Sequence, residues 1–228
     1  MRVRRPARRI RRRSWRDAEF ASLDFEATGL DFTHDAIVSF GVVPVRRGRV
    51  VLADAVHQLV DPEVPPSVPS QKLHELRPQD LAGAPRIEHA KRALRDAIRG
   101  RYLLVWYADV EVHFLSAIFG ASTRSWRRRT IDVRNLAIEA DGGQRSARRE
   151  FGYGLSWAAH RLGVPVASPH DALDDALVTA QAFLILAGRL PTGPEPTVGD
   201  LSRLAGERSG GLNNGSNSGY NADQEASS

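Results

Sequence analysis

Three apolar stretches near the N-terminus constrain the fold of this chain more than any other feature. Residues 20–26, 36–45 and 49–60 are rich in β-branched and aromatic side chains, and the short turn Arg46-Arg47-Gly48 separates the last two. Stretches of this length and composition, bounded by turn residues, are typical of strands. The sequence therefore predicts that the fold begins with a three-stranded meander.

Beyond residue 61 the spacing of the apolar residues changes. Proline-rich residues 62–70 predict a loop, and residues 102–106 predict a short buried strand. Apolar residues recur at helical spacing in five further segments: 87–98, 110–118, 131–138, 155–162 and 170–190. Strands followed mostly by helices indicate a mixed α/β domain.

The two ends of the chain differ from its middle in composition. Residues 1–16 hold nine arginines and no acid, whereas residues 191–228 are rich in Gly, Ser, Asn and Pro. We expect a basic disordered arm over 1–16, a single domain over 17–190 and a disordered tail over 191–228. The arm is either a tether for nucleic-acid phosphates or a solvated segment without a specific partner.

Cysteine is absent from the chain, which excludes disulfides and thiolate metal sites. Carboxylate and imidazole groups are then the plausible metal ligands. No apolar run is long enough to cross a bilayer, and the positively charged N-terminus has no hydrophobic stretch behind it. We therefore expect a soluble protein that is not exported, with a cytoplasmic location and no membrane partner.

The first candidate site is Asp24-Phe25-Glu26, which places two carboxylates inside an apolar strand. Residues two apart on a strand point to the same face, so both carboxylates can reach one ion. Like charges so close are unfavourable unless a cation or a proton separates them. A strand with a solvated polar face is the alternative interpretation of so short a motif.

The second candidate site lies at the start of the last predicted helix. His170 and Asp175 are five residues apart, which is about 140° of rotation on a straight helix, so they can face one site only if His170 lies on the preceding loop. Pro169 favours that arrangement. The helix dipole favours acids in a first turn, which explains Asp171 without a catalytic role. The spacing does not choose between Asp174 and Asp175.

These motifs, in this order, resemble the DEDDh exonucleases, the family of the proofreading epsilon subunit of DNA polymerase III. The resemblance covers roughly residues 19–188: DFEATGLD near the start, an acid after the middle strand, and YGLSWAAHRLGVP followed by HDALDDALVTAQAFL near the end. Three ordered motifs are more specific than any one of them. The resemblance implies a ribonuclease H-like fold, a mixed β-sheet flanked by helices.

The resemblance also implies roles for individual residues. Two of the family's metal ligands fall on Asp24 and Glu26, and the last falls on Asp175. The general base falls on His170.

Three further residues are implied in substrate binding. Thr28 and Leu30 would line the pocket for the terminal nucleotide, Thr28 partly through its backbone. Leu30 and Phe114 are apolar side chains that could stack on terminal bases. His74 matches a turn where the family's histidine has a structural role, so we do not include it in the site.

The middle motif departs from the family pattern. Counting back from Phe114-Leu115, the position of the metal-binding acid holds Glu111, and Tyr107 replaces the usual asparagine. A glutamate is one methylene longer than an aspartate, so its carboxylate can still reach a cation. Asp109 is the rival ligand, two residues earlier and on a different side of a helix. The register favours Glu111.

The activity that the resemblance implies is the 3′→5′ removal of nucleotides from single-stranded nucleic acid, with DNA favoured over RNA and nucleoside 5′-monophosphates as products. Oxygen ligands favour Mg²⁺ or Mn²⁺ over zinc. Two ions about 4 Å apart would hold the scissile phosphate, and His170 would take a proton from the attacking water. The expected partners are single-stranded DNA or RNA 3′ ends, with a DNA polymerase as a further candidate.

Two other protein classes compete with this interpretation. The adjacent His170-Asp171 pair also occurs in His-Asp metal phosphohydrolases, but these are all-helical, whereas this chain begins with strands. The other alternative is a nuclease scaffold with weakened catalysis that acts as a polymerase- or nucleic-acid-binding module. Its only support is Glu111, since Asp24, Glu26 and His170 are all present.

Overall fold

The computed structural model describes residues 12–142, 153–190 and 195–206, and within them six strands form one mixed sheet. The strands are Glu19–Ala27 (β1), Ile37–Arg46 (β2), Arg49–Val50 (β3), Val56–Leu59 (β4), Tyr102–Val105 (β5) and Thr130–Asp132 (β6). β2 is antiparallel to β1, β3 and β4, whereas β5 is parallel to both β1 and β6. The order β3-β2-β1-β5-β6 makes β1 the central strand.

Helices cover both faces of the sheet. In the same ranges they are Val68–His74 (α1), Pro78–Leu81 (α2), Ile87–Ile98 (α3), Ala108–Phe119 (α4), Thr123–Arg127 (α5), Val133–Ala140 (α6), Leu155–Leu162 (α7), Ala172–Arg189 (α8) and Val198–Gly206 (α9). α8 packs across β1 and β2 on one face, and α3 and α4 pack on the other. None of these helices is long and apolar enough to span a membrane.

The alternation of side chains along β1 connects the two faces. Phe20 belongs to the core under α8, whereas Leu23 and Phe25 belong to the core under α3 and α4. Asp24 and Glu26 share the face of Phe20 because residues an even number apart on a strand point the same way. Both acids are therefore directed to the side that α8 covers.

The predicted mixed sheet flanked by helices is confirmed, and α3 and α7 have the predicted bounds. Two predictions were wrong in detail. Residues 49–60 are not one strand, because a 3-10 turn at Leu52–Asp54 separates β3 from β4. Residues 131–138 are not one helix, because the segment begins with the end of β6 before α6 starts. A short apolar run can be a buried strand or a helix, and its periodicity does not distinguish them.

The proline-rich loop is shorter than predicted, because α1 begins at Val68. The Ser67 hydroxyl accepts the N–H of Ser70 and caps the helix. Pro69 lies in the first turn, where a missing N–H leaves no intrahelical bond unmade.

The N-terminal boundary also differs from the prediction. Trp15 is 2% exposed and packs edge-on against Phe183 of α8, with ring centroids 5.8 Å apart. The backbone N–H of Trp15 donates to the carbonyl oxygen of Pro196 at 3.1 Å. The arm predicted over 1–16 was therefore wrong for Trp15, whose indole is part of the core. Residues 1–11 lie outside the described residues.

The C-terminal boundary is displaced in the same way. Within the tail predicted over 191–228, α9 buries Val198 and Leu201 against α6 and β6. The prediction of disorder was wrong for this segment. A few apolar residues at helical spacing are enough to order a helix when they can pack against the core. Residues 191–194 and 207–228 lie outside the described residues.

Candidate active site

β1 presents two acids to the interface with α8. Glu26 is 6% exposed and Asp24 is half-buried. The register of β1 with β2 pairs Asp24 with Gly41 and Glu26 with Ser39. Directly opposed residues of antiparallel strands share a face, so each acid has a small residue beside it.

Gly41 allows the first turn of α8 to touch the sheet. A Cβ atom added at Gly41 would lie 2.1 Å from the carbonyl oxygen of Ala172 and 2.5 Å from the Cα of Leu173. Side-chain atoms do not approach backbone atoms so closely in packed interiors, so any other residue would displace α8. Gly41 was not among the predicted site residues, although a glycine inside an apolar strand signals a close backbone approach.

Glu111 comes to the same site from α4. It lies in the first turn of that helix, directly after β5, and is 4% exposed. Its Oε2 atom has no hydrogen-bond partner among the residues that the structure describes. A buried carboxylate oxygen without a donor is unfavourable, and a bound cation would relieve that cost.

Asp109, the rival of Glu111, is engaged elsewhere. Its carboxylate forms a salt bridge with Arg127 of α5, and its carbonyl oxygen accepts the Nδ1–H of His113 at 2.5 Å. Asp109 does not contribute to the raised pKa values of Asp24 and Glu26, whereas Glu111 does.

Asp132 fixes the start of the helix that carries Glu111. Its carboxylate accepts the N–H of Ala108, at the start of α4, at 3.1 Å. It also accepts the N–H of Asn135 at 2.9 Å and caps α6. One carboxylate at the end of β6 therefore ties two helices to the same edge of the sheet.

His170 lies on the loop before α8, as predicted, and is half-buried with φ 63°. Its N–H donates to Oδ2 of Asp175 at 3.2 Å. Asp171 caps α8 by accepting the N–H groups of Leu173 and Asp174, each at 3.0 Å, which confirms the capping interpretation.

The structure brings three of the predicted residues into direct reach of one another. One potential ligand atom from each of Glu26, His170 and Asp175 lies within 4.8 Å of the other two. Asp24 adjoins this group: burial raises its pKa well above the ordinary value, and the charges of Asp175, Glu26 and Glu111 raise it further.

The other acids respond to the same crowding. Burial raises the pKa of Glu26, and the charges of Asp175, Asp171 and Glu111 add to the effect. Burial, with the charges of Asp174 and Asp171, raises the pKa of Asp175 to about 7, although the N–H of His170 opposes the rise.

The pKa of Glu111 is also well above its usual range, because of burial and then the charge of Asp132. Such shifts indicate carboxylates that need a proton or a cation between them. The donors are carboxylate oxygens with one imidazole nearby, and this set fits a hard divalent cation.

Thr28 is fully buried, and each of its polar groups is used within the chain. Its N–H donates to Ala36 O at 2.8 Å, and its carbonyl oxygen accepts the Ser67 N–H at 3.1 Å. Its hydroxyl donates to Asp35 at 2.7 Å and accepts the Ala36 N–H at 3.0 Å. Thr28 thus holds the loop that carries Leu30, and its contact with substrate stays a prediction.

Leu30 and Phe114 differ in their access to solvent. Leu30 is half-buried, whereas Phe114 is 3% exposed and lies against Phe25 and Phe32, at centroid distances of 6.1 and 5.4 Å. Phe32 is itself stacked on His113 at 4.5 Å. Stacking of Phe114 on a terminal base stays a prediction, and it requires a movement of this aromatic cluster.

His74 has the structural environment that the sequence suggested. Its Nδ1 accepts the N–H of Leu76 at 3.0 Å, and its Nε2 lies 2.9 Å from the Ser70 hydroxyl. That hydroxyl donates to the carbonyl oxygen of Ala27, at the end of β1. The histidine therefore links the end of α1 to the strand that carries Asp24 and Glu26.

Known proteins are similar to this chain in both sequence and fold. A family model described as an exonuclease, RNase T, matches residues 22–183. A PolC-type DNA polymerase III from Thermotoga petrophila is 31% identical over 172 residues, 75% of this chain and 12% of that protein. The 3′-5′ exonuclease DinG from Staphylococcus aureus is 24% identical over 194 residues, 82% of this chain and 20% of that protein. The chain spans a fifth or less of these relatives.

Solved structures show the same fold at low identity. Exonuclease I of E. coli in complex with a dA16 oligonucleotide has a TM-score of 0.62 at 16% identity, over 76% of this chain and 42% of that chain. The nuclease domain of 3′hExo, a DEDDh family member bound to rAMP, has a TM-score of 0.58 at 18% identity, over 75% and 92%. Exonuclease X bound to 5′ overhanging duplex DNA has a TM-score of 0.55 at 20% identity, over 80% and 99%.

The family model covers most of the chain and includes Asp24, Glu26, Glu111, His170 and Asp175. The solved neighbours add the same sheet and helix arrangement. This chain belongs to the exonuclease family, as its resemblance to the DEDDh enzymes predicted.

Proposed function

We propose that this chain is a 3′→5′ exonuclease that hydrolyses phosphodiester bonds at the 3′ end of single-stranded nucleic acid and releases nucleoside 5′-monophosphates. The observation that carries this proposal is the convergence of acids from β1, α4 and α8 beside His170. Such a cluster of partly desolvated carboxylates has no structural use that would offset its repulsion.

We infer that Asp24, Glu26, Glu111 and Asp175 hold Mg²⁺ or Mn²⁺, two ions in the working enzyme. Their raised pKa values and the unpartnered Oε2 of Glu111 support this assignment. Divalent ions in such a site supply a nucleophile at neutral pH and neutralise charge on the scissile phosphate and the leaving oxygen. Asp24, whose pKa is raised by burial and by the charges of Asp175, Glu26 and Glu111, would be the candidate ligand shared by both ions.

His170 is the proposed general base. It lies outside the helix, at the edge of the acid cluster, and its ring is within reach of both Glu26 and Asp175. An imidazole can accept a proton from the attacking water at physiological pH. The neighbouring carboxylates would stabilise the imidazolium that results.

Single-stranded DNA is the substrate that the comparisons favour. Exonuclease I was solved with dA16 and dT13 oligonucleotides, and the sequence relatives are a DNA polymerase and a DinG exonuclease. A DNA polymerase is a candidate partner on the same grounds, with proofreading as the role. RNA 3′ ends remain an alternative substrate, since 3′hExo was solved with rAMP. A cytoplasmic location remains a prediction.

The decisive experiment is digestion of 5′-end-labelled single-stranded DNA and RNA with Mg²⁺ or Mn²⁺. We expect a ladder of products that shorten stepwise from the 3′ end, abolished by Asp24→Ala. His170→Ala should reduce the rate about 10²- to 10⁴-fold, the usual contribution of a positioned general base.

Asp96→Ala is the matched control, because Asp96 is an exposed acid on α3 that lies 4.0 Å from Arg92. Its rate should equal that of the unaltered protein. Binding of the oligonucleotide without any metal-dependent ladder would instead favour the weakened scaffold. Cleavage that survives in both Asp24→Ala and His170→Ala would overturn the assignment of the site.

A further inference from the structure

The loop before α8 is held by three acids that follow it in the sequence, each at a different point. Asp171 caps the helix, and its own N–H donates to Ser168 O at 3.1 Å. Asp175 accepts the N–H of His170 at 3.2 Å. Asp174 reaches further back: its Oδ2 accepts the N–H of Ala167 at 3.0 Å and that of Ser168 at 2.9 Å.

His170 needs such support because its backbone is strained. Its φ of 63° lies in the left-handed region, which is unfavourable for a residue with a Cβ. Strained residues persist only where their surroundings over-determine them. Asp175 restrains the His170 backbone directly by accepting its N–H, but the proposed function also assigns Asp175 to metal binding.

Asp174 supplies a restraint that does not compete with the metal site. Its carboxylate accepts hydrogen bonds from the backbone two and three residues before His170. Two N–H groups converge on one oxygen, which fixes the peptide unit between Ala167 and Ser168. The path of the chain into His170 is thereby set before any ion binds.

We propose that Asp174 is a positioning residue for the general base: it fastens residues 167–168 to the first turn of α8 and so sets the place of the His170 ring. This inference rests on the proposed function, in which His170 acts on the attacking water. The chemistry it uses is hydrogen-bond acceptance by a side-chain oxygen, so an asparagine at this position should serve almost as well as the aspartate.

The alternative is a purely structural role, in which Asp174 only stabilises the N-terminus of α8 through the helix dipole. α9 offers the matched case, because Asp200 in its first turn accepts the N–H of Thr197 at 3.0 Å, outside the loop that carries His170. If dipole stabilisation were the whole role, Asp174→Ala and Asp200→Ala would have the same consequences.

The test compares Asp174→Ala, Asp174→Asn and Asp200→Ala in the full chain. Steady-state rates are measured on single-stranded DNA with Mg²⁺, and amide hydrogen exchange is followed at residues 167–170. For Asp174→Ala we expect kcat to fall about 10- to 100-fold, the size typical of residues that orient a functional group. KM should change less than about threefold, and amide exchange at Ala167 and Ser168 should become faster.

Asp174→Asn should restore kcat to within about threefold of the unaltered protein, because the amide oxygen can accept the same N–H groups. Asp200→Ala should leave kcat unchanged. The proposal is overturned if Asp174→Ala keeps its kcat, if Asn and Ala are equally impaired, or if Asp200→Ala loses as much. If the unaltered protein shows no nuclease activity, the proposed function fails, while the exchange rates at residues 167–168 still decide whether Asp174 holds the loop.

Discussion

The two regions that supply the proposed catalytic groups are built in opposite ways. Asp24 and Glu26 belong to β1, the central strand, which is paired on both sides and almost wholly buried. His170 belongs to a loop with a left-handed backbone at that residue, held by side-chain hydrogen bonds. The carboxylates therefore have fixed positions but unfavourable electrostatics, whereas the histidine has a strained backbone that local contacts maintain.

The contrast suggests that the strand and the loop have different roles in the site. A sheet can hold like charges at a fixed spacing because its ladder of hydrogen bonds resists their repulsion. A loop can change the position of a base by small backbone movements without disturbing the core. The four predictions below test this contrast, beginning with the largest expected effect.

The middle acid should behave like the sheet-held acids. Glu111→Gln removes a buried charge at the cluster and should lower kcat/KM by more than about 100-fold, beyond the usual effect of residues that only support a ligand. Asp109→Asn, which breaks an exposed pair with Arg127, should change it less than about threefold. Calorimetric titration with Mn²⁺ should show weakened binding for the first variant alone. The reverse order would transfer the ligand role to Asp109.

Gly41 tests whether the contact between sheet and helix determines the site. Gly41→Ala would force a Cβ into the backbone of Ala172 and should destabilise the fold by about 1–3 kcal/mol while reducing activity. Gly188→Ala is the control, because Gly188 lies in α8, the helix that Gly41 contacts, and has open space around it. That variant should gain about 0.5–1 kcal/mol and keep its activity. Urea unfolding measures the stability of both variants. Equal stabilities would contradict the close approach of Gly41 to the backbone of Ala172.

The acid cluster should make the metal-free protein less stable as the pH rises. The pKa of Asp175 is raised to about 7 in the folded state, so the folded protein retains a proton that the unfolded chain has lost above about pH 4. This contribution is complete at low pH and is lost as the pH rises through 7. Melting temperatures in chelator should therefore fall between pH 5 and pH 8.

Magnesium should reverse that trend, because the ion replaces the protons between the carboxylates. Asp175→Asn should flatten the pH dependence in chelator. A melting temperature that rises from pH 5 to pH 8 without metal would contradict the clustering of the acids.

The smallest expected effect concerns the strain at His170. Glycine adopts a left-handed backbone without a Cβ clash, so His170→Gly should be more stable than His170→Ala by about 1 kcal/mol. Both variants lack the imidazole and should lose activity to the same extent. Urea unfolding of the two variants therefore isolates the contribution of backbone strain at residue 170 to the free energy of unfolding. If alanine proves as stable as glycine, the loop relaxes and the contrast with β1 weakens.

The sequence predicted the fold class and the main candidates because their signals are local. A spacing of two on an apolar strand placed Asp24 and Glu26 on one face, and a spacing of five after a proline placed His170 off the helix. The structure confirms that the two acids share a face of the strand and that the histidine lies outside the helix. The short β6, the break between β3 and β4 and the burial of Trp15 were missed, because each depends on distant partners.

The amino-acid sequence by itself determined which residue types are available and in what order: paired acids first, an acid after a middle strand, and a histidine before a final helix. Only the tertiary structure decided between neighbours. It turned Asp175 to the cluster and Asp174 to the loop, and it buried Glu111 while Asp109 paired with Arg127. The reason is that helical spacing leaves the rotation of a helix against its sheet open. Contacts such as that of Gly41 with α8 fix it.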